Sequence, residues 1–247
     1  MSRPWDQARR AAEASGVTLR PLTGPDDVEA INAVVAATWG SQYLEHEVVR
    51  ALAFSGNVPW GAEADGVVVG FVLGWAGVDE DGLHVHSHML AAVPDRRHAG
   101  VGYALKLAQR AQALDQGIHV MRWTFDPMVA RNAWLNLGKL GTVVDRFQRD
   151  FYGDMRDDIN VGDRTDRFTV RWDLERDPGP RPVPAAHETV PIPPEYHELR
   201  AEDPEGARRL REVAAMAFET YLAAGLTGVA FDRHEGAYVF AREEDAP

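Results

Sequence analysis

The chain has 247 residues, 45% of them hydrophobic, and a formal net charge of −12. That is material for one sizeable core plus an appendage, and the acidic balance argues against a nucleic-acid or anionic-membrane partner, either of which wants a basic face. Because there is no cysteine, disulfides, thiolate metal sites and cysteine nucleophiles are excluded together.

Residues 1–16, MSRPWDQARRAAEASG, are charged and contain no apolar h-region, so they do not read as a secretory signal. No apolar run approaches the ~18–20 residues that span a bilayer. A cytoplasmic protein is the expectation. Residues 4–14 read as a weak helix that caps the domain, and residues 17–22 as a first strand. Thr23-Gly24-Pro25-Asp26-Asp27 carries helix-start signals, and Val28, Ile31, Val34 and Val35 make the apolar face of a helix ending near Gly40. A second helix is expected over residues 43–54, then a turn at Ser55-Gly56-Asn57. Residues 60–64 and 67–76 form a hairpin about Asp65-Gly66, a strong turn signal. A second turn over residues 78–82 leads into a strand over residues 84–93, cut off by Pro94.

Val101, Ala104, Leu105 and Ala108 recur at i, i+3, i+4 and i+7, and Ala111 extends the stripe; Lys106, Gln109 and Arg110 lie on the other face of this helix. Between strand and helix stands Arg96-Arg97-His98-Ala99-Gly100-Val101-Gly102. The first amides of a helix lack partners and carry the positive dipole end. Glycines let backbone approach a phosphate closely, and two arginines concentrate positive charge in an acidic chain. The residues therefore predict an anion site for a phosphate or pyrophosphate. No Gly-Lys-Ser/Thr is present for a Walker A loop, and no third glycine for a dinucleotide fingerprint.

Further strands are expected over residues 118–125, stopped by Asp126-Pro127, and over 142–151 and 168–174, with a helix over 129–140 ended by Gly141. A polar loop covers residues 152–166. Residues 177–194 are proline-rich and should be extended and stiff. An amphipathic helix follows over 204–224, with Leu210, Val213, Ala214, Ala217, Phe218 and Tyr221 in one stripe, then a hairpin of residues 227–231 and 236–241 around Arg233-His234-Glu235. A helix and a hairpin make a marginal core, so this tail should pack on the main domain or on another subunit, which would make a homodimer.

The run Arg97-His98-Ala99-Gly100-Val101-Gly102 resembles the Q/R-x-x-G-x-G/A motif of the GNAT superfamily of acyl-CoA-dependent N-acyltransferases, and the element order β-α-α-β-β-β-α-β-α-β-β over about residues 17–174 is similar to that family's. The resemblance implies an α/β (α+β) GNAT fold: a mixed, mostly antiparallel central sheet flanked by helices, here with a C-terminal helix-plus-hairpin extension. The expected organisation is a GNAT domain over 1–176, a proline-rich linker over 177–195 and the extension over 196–247. The chain also resembles a narrower, mostly uncharacterised GNAT group through Thr38-Trp39-Gly40, Gly70-Phe71-Val72-Leu73-Gly74, Ser87-His88-Met89-Leu90, Phe125-Asp126-Pro127, Lys139-Leu140-Gly141 and Phe151-Tyr152-Gly153. Some members of that group are linked to N-succinylation of amino acids.

The implied activity is transfer of an acetyl group from acetyl-CoA to a small-molecule amine. The rivals are an N-succinyltransferase using succinyl-CoA and a CoA-binding protein with little catalysis; an interaction module built on the proline-rich segment would leave the anion loop unexplained. The resemblance places CoA along Leu90, Ala91, Ala92 and Val93 and on Arg97, His98, Ala99, Gly100, Val101, Gly102 and Tyr103, with Asn132 and Lys139 as further contacts. Pantetheine would enter where the strand of Leu90–Val93 diverges from Trp123, its amides pairing as an added strand would. An ammonium acceptor must lose a proton before it attacks a thioester. His84, His86 and His88 alternate onto one strand face, and the family's counting puts its base at His86, then His88, where an imidazole of ordinary pKa near ~6.5 would serve. The same triplet could co-ligate zinc, but no paired motif supplies the remaining ligands, and no metal is expected. The family's tyrosine acid falls at Leu137, a departure that leaves Tyr152 as a substitute or no side-chain acid at all. Trp39, Tyr43 and Arg131 are the acceptor-site candidates.

Overall fold

The chain divides into two units between Arg122 and Trp123. The computed structural model describes residues 2–40, 43–96, 99–155 and 162–246. The first unit runs α1 (Arg3–Ala14), β1 (Thr18–Pro21), α2 (Pro25–Trp39), α3 (His46–Phe54), β2 (Trp60–Ala64), β3 (Val67–Asp79), β4 (Gly82–Ala92), α4 (Val101–Asp115) and the start of β5 (Val120–Phe125). Strands β1 to β4 pair in order as an antiparallel meander, and β4 pairs β5 in parallel. This is a mixed, mostly antiparallel sheet, as the resemblance implies. Asp65 and Gly66 sit at φ 51° and 78°, the left-handed pair that a tight hairpin of this twist demands.

Alternation along β3 sets the layers. Phe71 and Leu73 join Val28, Ile31, Val34 and Val35 of α2 and Val49 of α3 in one core. Val72, between them, joins Ala12 of α1 and Val101, Ala104 and Leu105 of α4 in the other. Helices thus cover both faces. Helix α3 starts later than its sequence suggests: Asn32 accepts from the amide of Leu44 and donates to its carbonyl, 2.8 and 3.0 Å, so that backbone is committed before a helix can begin. The larger departure concerns α4. Lys106, Gln109 and Arg110 are 2%, 8% and 3% exposed, not a solvated face, because Lys106 and Gln109 turn onto Ser87 of β4 and Arg110 meets Gln7 of α1, which packs against α4.

The second unit continues β5 and adds a short helix α5 (Ala130–Ala133), β6 (Val143–Gln148), β7 (Arg167–Asp173), β8 (Glu188–Pro191), α6 (Tyr196–Glu202), α7 (Pro204–Ala223), β9 (Thr227–Asp232) and β10 (Ala237–Ala241). The order from β7 is β7-β6-β9-β10-β8. Where an ordinary helix was expected, residues Trp134–Leu140 form a π-helix, closed by Gly141 at φ 74°. The proline-rich stretch contributes β8, which pairs β10. Phe218 of α7 meets Phe147 of β6, Phe168 of β7 and Phe240 of β10 at ring separations of 5.6, 4.5 and 5.9 Å. The tail helix and hairpin therefore share an aromatic core with β6 and β7. Among the described residues no helix is long and apolar enough to cross a membrane.

Candidate active site

Candidate site residues of the first unit gather at the C-terminal half of β4 and the start of α4. Leu73 pairs with Met89 and Gly74 with Ser87, so His88 is an extra residue on β4, a β-bulge. Gly74 is required opposite it: a Cβ there would lie 2.5 Å from the His86 carbonyl oxygen and 2.7 Å from Nε2 of Gln109. The parallel pairing of β4 with β5 comprises Val85↔Met121 and His86↔Arg122. From Ser87 to Ala92 the partner of β4 is β3.

His86 and His88 lie together, their rings 5.7 Å apart, and Trp75 covers both at 5.1 and 4.9 Å. His84 is buried and turns toward the Gly82 carbonyl and Asp79. Burial, reinforced by His88, His84 and Lys106, pushes the His86 pKa down to about 4, and burial lowers that of His88 as well. His86 is thus a weaker base than the ordinary imidazole expected from sequence. On the opposite face of the strand, Lys106 Nζ donates to Ser87 Oγ at 2.6 Å and Ser87 donates to Gln109 Oε1 at 2.7 Å. Sequence reading missed this trio; the signal was Ser87 itself, a polar residue at an inward position of β4.

Arg97 and His98 lie outside the described residues. Ala99 is exposed. Gly100 caps α4 at φ 89°, ψ 0° with no side-chain cap, and its carbonyl receives the amide of Ala104. The amides of Val101, Gly102 and Tyr103 therefore form the open first turn of a 15-residue helix. A Cβ on Gly100 would sit 2.8 Å from Ser15 Oγ. Gly70 is hemmed in by the Ala91 carbonyl at 2.8 Å and Val101 at 3.0 Å, which ties the end of β4 to the start of α4. Burial raises the pKa of Tyr103, which is half-buried. Trp39, like Met89 and Val93, packs against the core that α2 shares with β3 and β4, whereas Tyr43 is more than half exposed.

In the second unit, Tyr152 is 41% exposed; its hydroxyl lies 3.0 Å from Thr124 Oγ1, and the Arg167 guanidinium stands over its ring. Leu137, at the place of the family's tyrosine, is fully buried. Asn132 is partly buried, and Arg131 and Lys139 are exposed. Among the described residues no group of three or more His, Asp or Glu side chains is placed to hold a metal ion.

Residues 28–138 match the family model described as "Acetyltransferase (GNAT) family". No curated protein matches the chain. Among solved structures, a NatC complex bound to Gag peptide and CoA is similar with TM-score 0.52 and 14% identity, over 64% of this chain and 98% of that one. Naa20 of Chaetomium thermophilum in complex with a bisubstrate analogue follows at 0.50 and 20%, over 65% and 88%. The structure of yncA from Salmonella typhimurium with its cofactor acetyl-CoA has TM-score 0.49 and 18% identity, over 66% and 97%. Residues 28–138, the stretch that holds the fourth strand and the glycine-capped helix after it, therefore form a GNAT acetyltransferase-family domain, which marks the chain as an N-acyltransferase.

Proposed function

We propose that the protein transfers an acetyl group from acetyl-CoA directly to the amine of a small molecule. The observation that carries this is the join between β4 and α4. There a strand with one sheet partner over Ser87–Ala92 leads to a helix whose first amides are open behind Gly100. Strand-edge amides suit the pantetheine arm, and the helix start suits the pyrophosphate. In this reading Leu90, Ala91, Ala92 and Val93 face pantetheine. Arg97, His98, Ala99, Gly100, Val101, Gly102 and Tyr103 hold the diphosphate, and Asn132 and Lys139 add contacts.

The amine nitrogen attacks the thioester carbonyl carbon, its proton departs, and the C–S bond breaks to release CoA thiolate, which takes up a proton. His86, neutral at pH 7, has its lone pair available from the start. With its lowered pKa it passes a proton onward to water rather than storing it, and His88 stands beside it for that relay. Tyr152 is the candidate proton donor to the thiolate, since Leu137 has no proton to give. Trp39, Tyr43 and Arg131 are the candidates for acceptor recognition.

The test is thiol release with acetyl-CoA and an amine panel that includes free amino acids and peptide N-termini, run in parallel with succinyl-CoA. Turnover with acetyl-CoA and a small amine supports the reading. Faster turnover with succinyl-CoA reverses the donor, turnover only with peptides reverses the acceptor, and binding of CoA without turnover leaves a binding protein.

A further inference from the structure

The second unit contains a cavity of about 310 Å³ to which the acetyl-transfer reading assigns no role. One wall is the π-helix, through Trp134, Leu137 and Gly138; the facing wall comes from the tail, through Phe231 of β9 and Val183 of the proline-rich stretch. Gly138 makes room for the Trp134 ring, which lies across the position a side chain would take. Two arginines, Arg181 and Arg233, line the same space. Arg181 is 9% exposed and donates Nε to the Gly141 carbonyl (3.1 Å) and Nη1 to the Ala246 carbonyl (2.8 Å). Arg233 stands over the Trp134 ring, 5.6 Å from its centre.

No described acidic side chain pairs with either guanidinium. Of the acids nearby, Asp232 also lines the cavity and accepts from the amides of His234 and Glu235 through Oδ1, and Glu243 is held by Arg171. His234 is matched by Glu235. A buried cation without a directly paired anion is costly; burial and the neighbouring Arg176 weigh against the charge of Arg181, and Glu243 and Asp173 offset this only in part, from beyond ion-pair distance. An arginine fork suits a carboxylate, the walls suit an apolar body, and the volume is at the lower end of small-molecule sites.

We propose that this cavity is a second binding site, taking a small carboxylate with a flat or short aliphatic apolar body, its carboxylate between Arg181 and Arg233 and its body against Trp134 and Phe231. The ligand gives two guanidinium groups that make no direct ion pair a carboxylate to share, and it bridges the π-helix to the tail.

The probe is 4-fluorophenylacetate, followed by fluorine NMR and calorimetry on the full chain, with 4-fluorophenylacetamide as the neutral isostere. The acid should bind saturably and about tenfold or more tighter than the amide. Arg233→Gln, at the rim, should weaken the acid about five- to tenfold and leave the melting temperature unchanged. Arg181→Lys keeps a charge but loses the fork, and should weaken it further. Saturating CoA should leave the affinity unaltered, and failure of acetyl transfer would leave this result standing. Equal binding of acid and amide, an unchanged affinity in Arg233→Gln, displacement by CoA, or no binding at about 10 mM would each overturn the proposal.

Discussion

Lys106 Nζ lies 2.6 Å from Ser87 Oγ, inside the first unit and directly behind the strand residues that carry His86 and His88. Burial lowers the pKa of this amine well below its ordinary value. The folded chain therefore holds fewer protons at this site than the unfolded one, and stability rises with pH until the unfolded amine has also titrated, near ~10.4. Lys106→Met removes that dependence. Its melting temperature should exceed the parent's by a few degrees at pH 7, with the gap closing toward pH 10. A gap constant across this range would show that the amine keeps its proton indoors.

His86 supplies a second titration. Its imidazole should show a midpoint at about 4 by NMR, not near 6.5. His88→Ala should raise that midpoint, because a neighbouring ring that opposes the charge is gone. Since the unfolded imidazole binds its proton first, stability should fall on acidification between about 6.5 and about 4, and His86→Phe should flatten that fall. His86→Ala should lower kcat by about 10²-fold with acetyl-CoA affinity nearly unchanged; equal turnover would remove it from the chemistry.

Gly100→Ala meets two obstacles, a φ of 89° and Ser15 Oγ 2.8 Å from the new methyl. A loss of about 1–3 kcal/mol of stability is expected by thermal melting, with CoA binding weakened in calorimetry. Ser15→Gly in the same chain should return the steric part and not the conformational part. Full recovery by the double variant would mean the backbone there is not constrained.

Phe218→Ala should cost about 3–5 kcal/mol, because its ring sits among Phe147, Phe168 and Phe240. The readout is denaturant unfolding. A cost under about 1 kcal/mol would indicate that α7 is not part of the core.

The strand order as far as β5 is legible because hairpin turns announce themselves: Asp65-Gly66 permits little else between two apolar runs, and Pro94 ends β4 chemically. The glycine turn before α4 is legible too, and Gly100 adopts there a left-handed conformation that favours glycine. What periodicity could not show is that polar residues of α4 would find partners inside the fold. Lys106, Gln109 and Arg110 look like a solvated stripe until Ser87 of β4 is found bonded to the first two and Gln7 of α1 to the third. Nor could ordinary residue scales anticipate the lowered basicity of His86, which depends on Trp75 and His88 arriving beside it through a bulge.

The π-helix of Trp134–Leu140 has a bearing on any attempt to transplant the missing phenol. Each residue of such a segment advances less than the roughly 100° of an α-helix, so position-for-position counting from a relative with a regular helix drifts around the cylinder. Leu137, matched by count to the tyrosine of other members, faces inward with no exposed surface. Leu137→Tyr would thus push a hydroxyl into apolar packing and loosen the second unit without restoring a proton donor. Engineering a donor calls for reshaping the winding first, through Gly138, and only then choosing the side chain.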